Sequence, residues 1–378
     1  MATNTGQVST YENTVGIKRV VTDRIEMSEP MEFPLMKALG INNSKFSFVN
    51  EPGKMYEWQE DTYSPLEDDL NDDTTATNDS TDTTLSVSHG EYFHVGDIIK
   101  IDSEYIYVSS ISSDDLTVVR GHGGTQATHA STATVYIVSQ ARIEGANASD
   151  SPSQDVSTGY NYSFIMHGNV EVSRTDQLIK RYGIPSLVDR EIDKKMDELM
   201  RVLTRKPYYG VRAVGTSGSS ATSRDCGGFD TFITTNLYNQ SSARLTRSAL
   251  DTANRAIYDA GGTADLIVCG AFQQQLLSDM FEGYVQTERS EQMGGVTIKK
   301  IQMALGNVVN VLVDRYCPAA SMWMLDTRKV GFVQIDPFFH EELGKVADTA
   351  AYGQIIGEYG FAVSCEEHHA KIYGLATS

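Results

Sequence analysis

One stretch limits the fold more than any other: SLVDREIDKKMDELMRVLTRK, residues 186–206, which reads as a single long helix. Pro185 stands just before it, Ser186 can cap the free amides of the first turn, and Asp189 and Glu191 place negative charge near the positive end of the helix dipole. Pro207 is expected to close it. Ile192, Met196, Leu199, Met200 and Leu203 fall at i, i+4, i+7, i+8 and i+11, so they gather on one narrow apolar stripe while the other faces are charged. Such a helix spans about 30 Å, and so thin a stripe predicts that it lies across a sheet. Sequence before it is extended or irregular, and sequence after it has the grammar of a compact α/β domain.

Charge is the second constraint. The chain of 378 residues carries a net −19, and residues 57–119 hold sixteen acids against Lys100 alone, so that window accounts for −15. A surface this acidic repels phosphates, which argues against a sequence-specific DNA or RNA binder. The start, MATNTGQVSTYENT, lacks a basic segment followed by an apolar run, and no stretch approaches the roughly 18 consecutive apolar residues of a membrane span. Neither secretion nor a membrane partner is expected. Cys226, Cys269, Cys317 and Cys365 form no CxxC pair, so they read as reduced, mostly buried cytoplasmic thiols.

In chain order, residues 1–30 are polar and aperiodic, like an extended arm. MEFPLMKALG (31–40) is a short apolar segment ending in glycine, and KFSFVNEPGKMYEWQED (45–61) places Pro52-Gly53 between two aromatic-rich runs, which predicts a β-ribbon. Residues 66–84 form an Asp/Asn/Thr/Ser tract with almost nothing to bury and read as a solvated linker. From Leu85 to Val138 short runs alternate apolar and polar residues, predicting a small all-β module of about five strands, a barrel or compact sandwich with Tyr92, Phe93, Tyr105 and Tyr107 in its core. Residues 141–157 are again polar before GYNYSFIM (159–166) resumes an extended pattern. After the long helix come a Gly/Ser-rich segment (214–226), a helix over 245–262, the buried strand ADLIVCG (264–270), a second helix AFQQQLLSDMF (271–281) and several further strands. The alternating YGFAVSCEEHHAKIYGL (359–375) is expected to be a strand pair.

No catalytic constellation emerges. Gly121-His122-Gly123-Gly124 lacks the GK[ST] ending of a phosphate loop and reads as a turn. There is no G-x-S-x-G elbow. His89, His94, His122 and His129 are irregularly spaced on module turns and are expected to be satisfied or solvent-facing, and His368-His369 would point to opposite faces of a strand. Asp69, Asn71 and Asp73 match positions 1, 3 and 5 of a calcium loop, but Thr74 and Ser80 stand where Gly and Glu are required. No cofactor, metal site or enzymatic activity is therefore expected.

The order of parts resembles the major capsid proteins of tailed bacteriophages, and in detail the family that includes the SU10 major head protein. The matching residues are MEFPLMKALG followed by Tyr56-Glu57-Trp58-Gln59-Glu60-Asp61; Asn161 leading into Val170-Glu171-Val172-Ser173-Arg174-Thr175; Gly227-Gly228-Phe229-Asp230-Thr231-Phe232-Ile233; and Leu245-Thr246 through Gly261-Gly262. The departure is residues 72–138. The resemblance implies an α+β, HK97-like capsid fold: an N-terminal arm over 1–30, an extended loop and start of the peripheral domain over 31–71 and 139–165, an inserted β domain over 72–138, a peripheral domain over 166–225 with spine helix 186–206, an axial domain over 226–360, and C-terminal strands 361–378 returning to the peripheral domain. It implies self-assembly into hexamers and pentamers of an icosahedral shell around double-stranded DNA held non-specifically, assembled in a bacterial cytoplasm with scaffold, portal and decoration proteins as partners; so short an arm suggests a separate scaffold. Trp58, Glu60, Asp61 and Arg174 are the expected interface residues, with Trp58 left exposed by one subunit alone. Ile192, Met196, Leu199 and Leu203 are the expected spine-helix core. An encapsulin-like compartment and a carbohydrate-binding protein or enzyme built on the β module are the alternatives.

Overall fold

The computed structural model describes residues 32–40, 53–71, 80–141, 144, 156–181, 183–214, 223–281, 285–286, 292–293, 296–297, 299–344 and 349–378. The arm, the first aromatic run of the expected ribbon and most of the Gly/Ser segment lie outside them. The chain divides into two compact units, residues 59–158 and the remainder.

MEFPLMKALG forms helix α1 (Pro34–Leu39), opened by a proline whose missing N–H costs nothing in a first turn and ended by Gly40 at φ +73°, with Leu35, Met36 and Leu39 buried. Strand β1 (Met55–Glu60) follows.

Residues 59–158 contain β2 (Glu67–Asp69), β3 (Thr84–Ser86), β4 (Asp97–Ile101), β5 (Glu104–Ser112), β6 (Asp115–Val119) and β7 (Thr134–Gln140). They form one sheet in the order β2-β7-β4-β5-β6-β3, and its ends meet: Leu70 bridges Val87, Asn71 N–H donates to Ser86 O at 2.9 Å, and Ser88 N–H donates to Asp69 O at 3.0 Å. Closure removes both free edges, so this is a barrel. Leu70, Leu85, Ile99, Ile106, Leu116 and Val135 are among the residues filling it. Two expectations are corrected. The acidic tract is not all linker, because Glu67–Asp69 is a strand and Leu70 sits in the core, so the barrel runs from Glu67 to Gln140 and not from 72 to 138. An all-acidic strand contributes backbone hydrogen bonds and leaves no apolar signal. Likewise, Phe93 is core but Tyr105 and Tyr107 point outward, because β5 turns Glu104, Ile106 and Val108 inward.

In the other unit, β8 (Ser157–Tyr162) pairs with β1, and β9 (Phe164–Ser173) alternates buried and exposed residues without interruption. After the short helix α2 (Arg174–Leu178) comes the long helix α3 (Leu187–Tyr209), whose Ser186 cap accepts the Asp189 N–H at 3.3 Å. Pro207 does not close α3; it lies within the last turn, where only one helical amide is forgone. Tyr208 keeps that turn wound by being buried and donating its hydroxyl to Asp314 Oδ2 at 2.8 Å. Leu199 and Leu203 are buried, with Ile192, Met196 and Met200 packed beside them. At Gly168 of β9 a Cβ would lie 2.7 Å from the Lys195 side chain, so the helix rests directly on the sheet.

The rest comprises α4 (Phe229–Phe232), β10 (Leu237–Ala243), α5 (Arg247–Asp259), β11 (Leu266–Cys269), α6 (Ala271–Met280), β12 (Val285–Gln286), β13 (Gln292–Met293), β14 (Val296–Thr297), β15 (Lys299–Gln302), β16 (Val308–Val313), β17 (Ser321–Leu325), β18 (Val330–Glu342), β19 (Thr349–Val363) and β20 (Ala370–Leu375). A seven-stranded mixed sheet runs β10-β20-β17-β11-β16-β15-β12, and a three-stranded antiparallel sheet runs β18-β19-β9. The expected division at residue 360 is therefore reversed. Residues 330–363 join β9 and the sheet under α3, while the C-terminal strand joins the seven-stranded sheet between β10 and β17. The expected strand pair at 359–375 is split between sheets by a left-handed Cys365 (φ +50°) and one 3-10 turn.

Candidate functional site

The described residues hold no group of His, Cys, Asp and Glu able to bind a metal ion, and none of their helices is long and apolar enough to cross a membrane. Each module histidine has a structural partner. His89 meets Asp68 at 3.0 Å, His94 lies 3.6 Å from Asp97, and His122 stacks on Tyr107. His129 is held between Asp102 and Glu104, each at 2.9 Å. Glu104 is the hub of that group. Its burial alone would raise its pKa, but the Arg120 guanidinium, the Ala127 and Gly121 amides and His129 outweigh this and hold it at about 2. This buried ion group pins β5 to the 120–129 loop. The Gly121–Gly124 segment is a turn, with Gly121 and Gly123 at φ +67° and +79°. Three of the four thiols are held in the neutral form: burial pushes Cys226 to about 11 and Cys269 to about 12, and raises Cys317 as well.

What the fold does build is an anchor for the β1–β8 pair, in which Met55–Glu60 pairs with Ser157–Tyr162. Trp58 is only 6% exposed, enclosed by Tyr56, Phe232, Val333, Ile335 and Ala362. A Cβ at Gly159 would lie 2.5 Å from its indole, so β8 must carry glycine where the two strands cross the ring. This corrects the expectation that one subunit leaves Trp58 exposed. Beside it, Tyr56 donates its hydroxyl to Phe361 O at 2.8 Å and accepts the Phe361 N–H at 2.7 Å. Asn161 is fully buried and uses its whole amide: Nδ2 donates to Phe361 O (2.6 Å) and Gly227 O (3.1 Å), and Oδ1 accepts the N–H groups of Gly227 (3.0 Å) and Tyr162 (2.8 Å). Arg224 adds a bond to Ser163 O at 3.0 Å and an ion pair with Glu358. Tyr56, Asn161 and the Gly227-Gly228 turn thus lock β1 and β8 to β19 and to the end of α3, where a Cβ at Gly228 would fall 2.4 Å from Pro207 O. The sequence marks Asn161 and the double glycine; their bonding stays hidden there because all partners are remote in the chain.

The other expected interface residues lie elsewhere. Glu60 is half-buried at the end of β1, where its carbonyl accepts the Ser157 hydroxyl at 3.2 Å, and Asp61 is exposed just beyond. Arg174 is exposed at the start of α2. On α2 and α3 the subunit leaves large apolar side chains in water: Leu178 is 75% exposed beside Ile179, and Val202, Tyr209, Val211 and Val214 are exposed along and just past the second half of α3. Surfaces of this kind fit mutual burial between copies better than any chemistry on a small molecule.

Against known proteins, the family model described as SU10 major capsid protein matches residues 3–376. A search of curated proteins returns no match. Among solved structures the chain is similar to the cyanophage A-1(L) capsid asymmetric unit (12% identity, TM-score 0.53, covering 96% of this chain and 98% of that one) and to the capsid of a native GTA particle (10% identity, TM-score 0.54, 98% and 99%). It also matches the holo-SrpI encapsulin of Synechococcus elongatus PCC 7942 (10% identity, TM-score 0.45, 59% and 79%). At these identities the likeness to solved structures is one of fold.

Proposed function

The chain belongs to the SU10 major capsid protein family and is a major capsid protein of HK97-like fold that forms a multimeric virion shell; from that premise we propose how it builds one. Copies associate as hexamers and pentamers of an icosahedral shell that encloses double-stranded DNA without reading its sequence. The observation that carries the assignment is the family match over residues 3–376. The anchored β1–β8 pair and the exposed apolar residues of α2 and α3 supply surfaces that neighbouring copies bury. Arg174, Glu60 and Asp61 supply charged contacts at those seams, while Trp58 acts from inside the subunit by holding that pair.

In this reading β9, α2, α3, β18 and β19 form the peripheral domain, and β10 to β17 with β20 form the axial domain. The barrel of residues 67–140 is an insertion in the extended loop and faces outward, because its acidity would oppose packed phosphates within. Assembly takes place in the host cytoplasm with scaffold, portal and decoration proteins, and the chain performs no catalysis. Electron microscopy of the purified protein tests the scheme. Closed shells with knobs on the outside are expected; subunits that stay monomeric at every concentration and ionic strength would overturn it.

A further inference from the structure

We propose that the outer face of the β-barrel is a binding site for a neutral oligosaccharide, a function beyond shell formation. Register places Glu67 beside Tyr136, Tyr136 beside Lys100, and Lys100 beside Tyr105, so four neighbouring strands present one continuous row. Tyr107, next outward on β5, pairs with Ile98 and Val119 and stacks on His122 with ring centroids 5.9 Å apart. Tyr136 and Tyr105 keep 47% and 40% of their surface in water. With strands about 4.8 Å apart, the backbone positions of Tyr136 and Tyr105 lie roughly 10 Å from each other, the length of a disaccharide, with Lys100 on the strand between them and its ammonium 5.9 Å from the Tyr105 centroid.

Glu67, Tyr136, Lys100 and Tyr105 alternate polar and aromatic side chains along the row, with Val119 and Val138 exposed beside it. A sugar ring presents just this pair of properties: its C–H face covers a tyrosine ring, and its hydroxyls reach the carboxylate, ammonium and imidazole at the margins. Charge decides among other occupants. Residues 57–119 carry −15, which repels nucleic acid, anionic membranes, acidic glycans and a second copy of the same barrel. A neutral ligand meets no such repulsion.

The test uses the full-length protein, as intact shells and as unassembled subunits, on gels containing immobilised cellohexaose, chitohexaose or maltohexaose, with polygalacturonate as the anionic comparison. Retention on at least one neutral glycan is expected. It should weaken at least tenfold in a Tyr105→Ser, Tyr136→Ser double variant that still forms shells, and severalfold in Lys100→Ala, which leaves both rings in place should the double variant misfold. No retention on any neutral glycan, retention on polygalacturonate alone, or undiminished retention of the variants would overturn the proposal. Binding by subunits but not by shells would uphold the site and instead overturn the outward placement of the barrel.

Discussion

Trp58 and His369 show how much of this subunit rests on rings with specified surroundings. Removing the indole with Trp58→Ala leaves a cavity among Tyr56, Phe232, Val333 and Ala362, a change that costs about 3 to 5 kcal/mol. Thermal melting of unassembled subunits should register that loss in full; unchanged melting with impaired assembly would return Trp58 to an intersubunit role. His369 is fully buried and accepts the Asp326 N–H at Nδ1 (3.3 Å), so Nε2 carries the proton donated to Ser364 O (3.2 Å). Burial lowers its pKa from the ordinary 6.5 to about 4. The unfolded chain therefore binds a proton first as pH falls. The stability due to neutral His369 is complete above about pH 6.5 and declines, by on the order of 3 kcal/mol, until pH 4. Denaturant titrations at pH 7 and pH 4.5 should show a smaller pH effect for His369→Asn than for the parent.

Among the elements, the barrel has a closed hydrogen-bond ladder, its own apolar core and a buried Glu104–Arg120–His129 group. An element so complete should be separable. Replacing residues 66–141 with a short Gly/Ser linker is expected to leave a protein that still forms shells, now without outer knobs. Residues 61–156 expressed alone should give the dispersed amide spectrum of a folded β protein. If the deletion abolishes assembly and the fragment is unfolded, the barrel is integral to the capsid fold. Helix α3 differs in kind, because its buried face is completed by remote elements, β9 and β19 along its length and α1, Phe229 and Trp323 at its end, and it has no stability apart from them.

At the scale of the molecule, one aromatic stack unites the two sheets of the larger unit. Tyr208 and Phe229 lie 5.3 and 5.7 Å from Trp323 on the seven-stranded sheet, and Phe229 meets Phe361 edge-on at 5.1 Å in the three-stranded sheet. The opposite face of the seven-stranded sheet is covered by α5 and α6, so β11 is buried on both sides. Phe229→Ala should lower the unfolding temperature of both sheets together, with a loss of about 3 to 5 kcal/mol. Calorimetry should show this as one displaced transition beside an unmoved transition for the barrel; two sheets melting apart would show that the stack does not couple them.

Local chemistry makes several features legible from residues alone. The Ser186 cap, the stripe of α3, the α1 proline and glycine and the barrel's alternation all depend on neighbours within a few positions, where side-chain spacing and backbone preference act directly. What lies beyond sequence is every choice between remote partners. Alternation marks a strand without saying which strand it pairs with, so it places β20 in the wrong sheet and passes over β2, which is all acidic. The inward turn of Glu104, which sets Tyr105 and Tyr107 outside, depends on Arg120 and His129 arriving from another loop. Trp58 is enclosed by residues as far along the chain as Ala362. Tertiary structure decided these points because burial and hydrogen-bond satisfaction are properties of the assembled surroundings, and no single segment carries them.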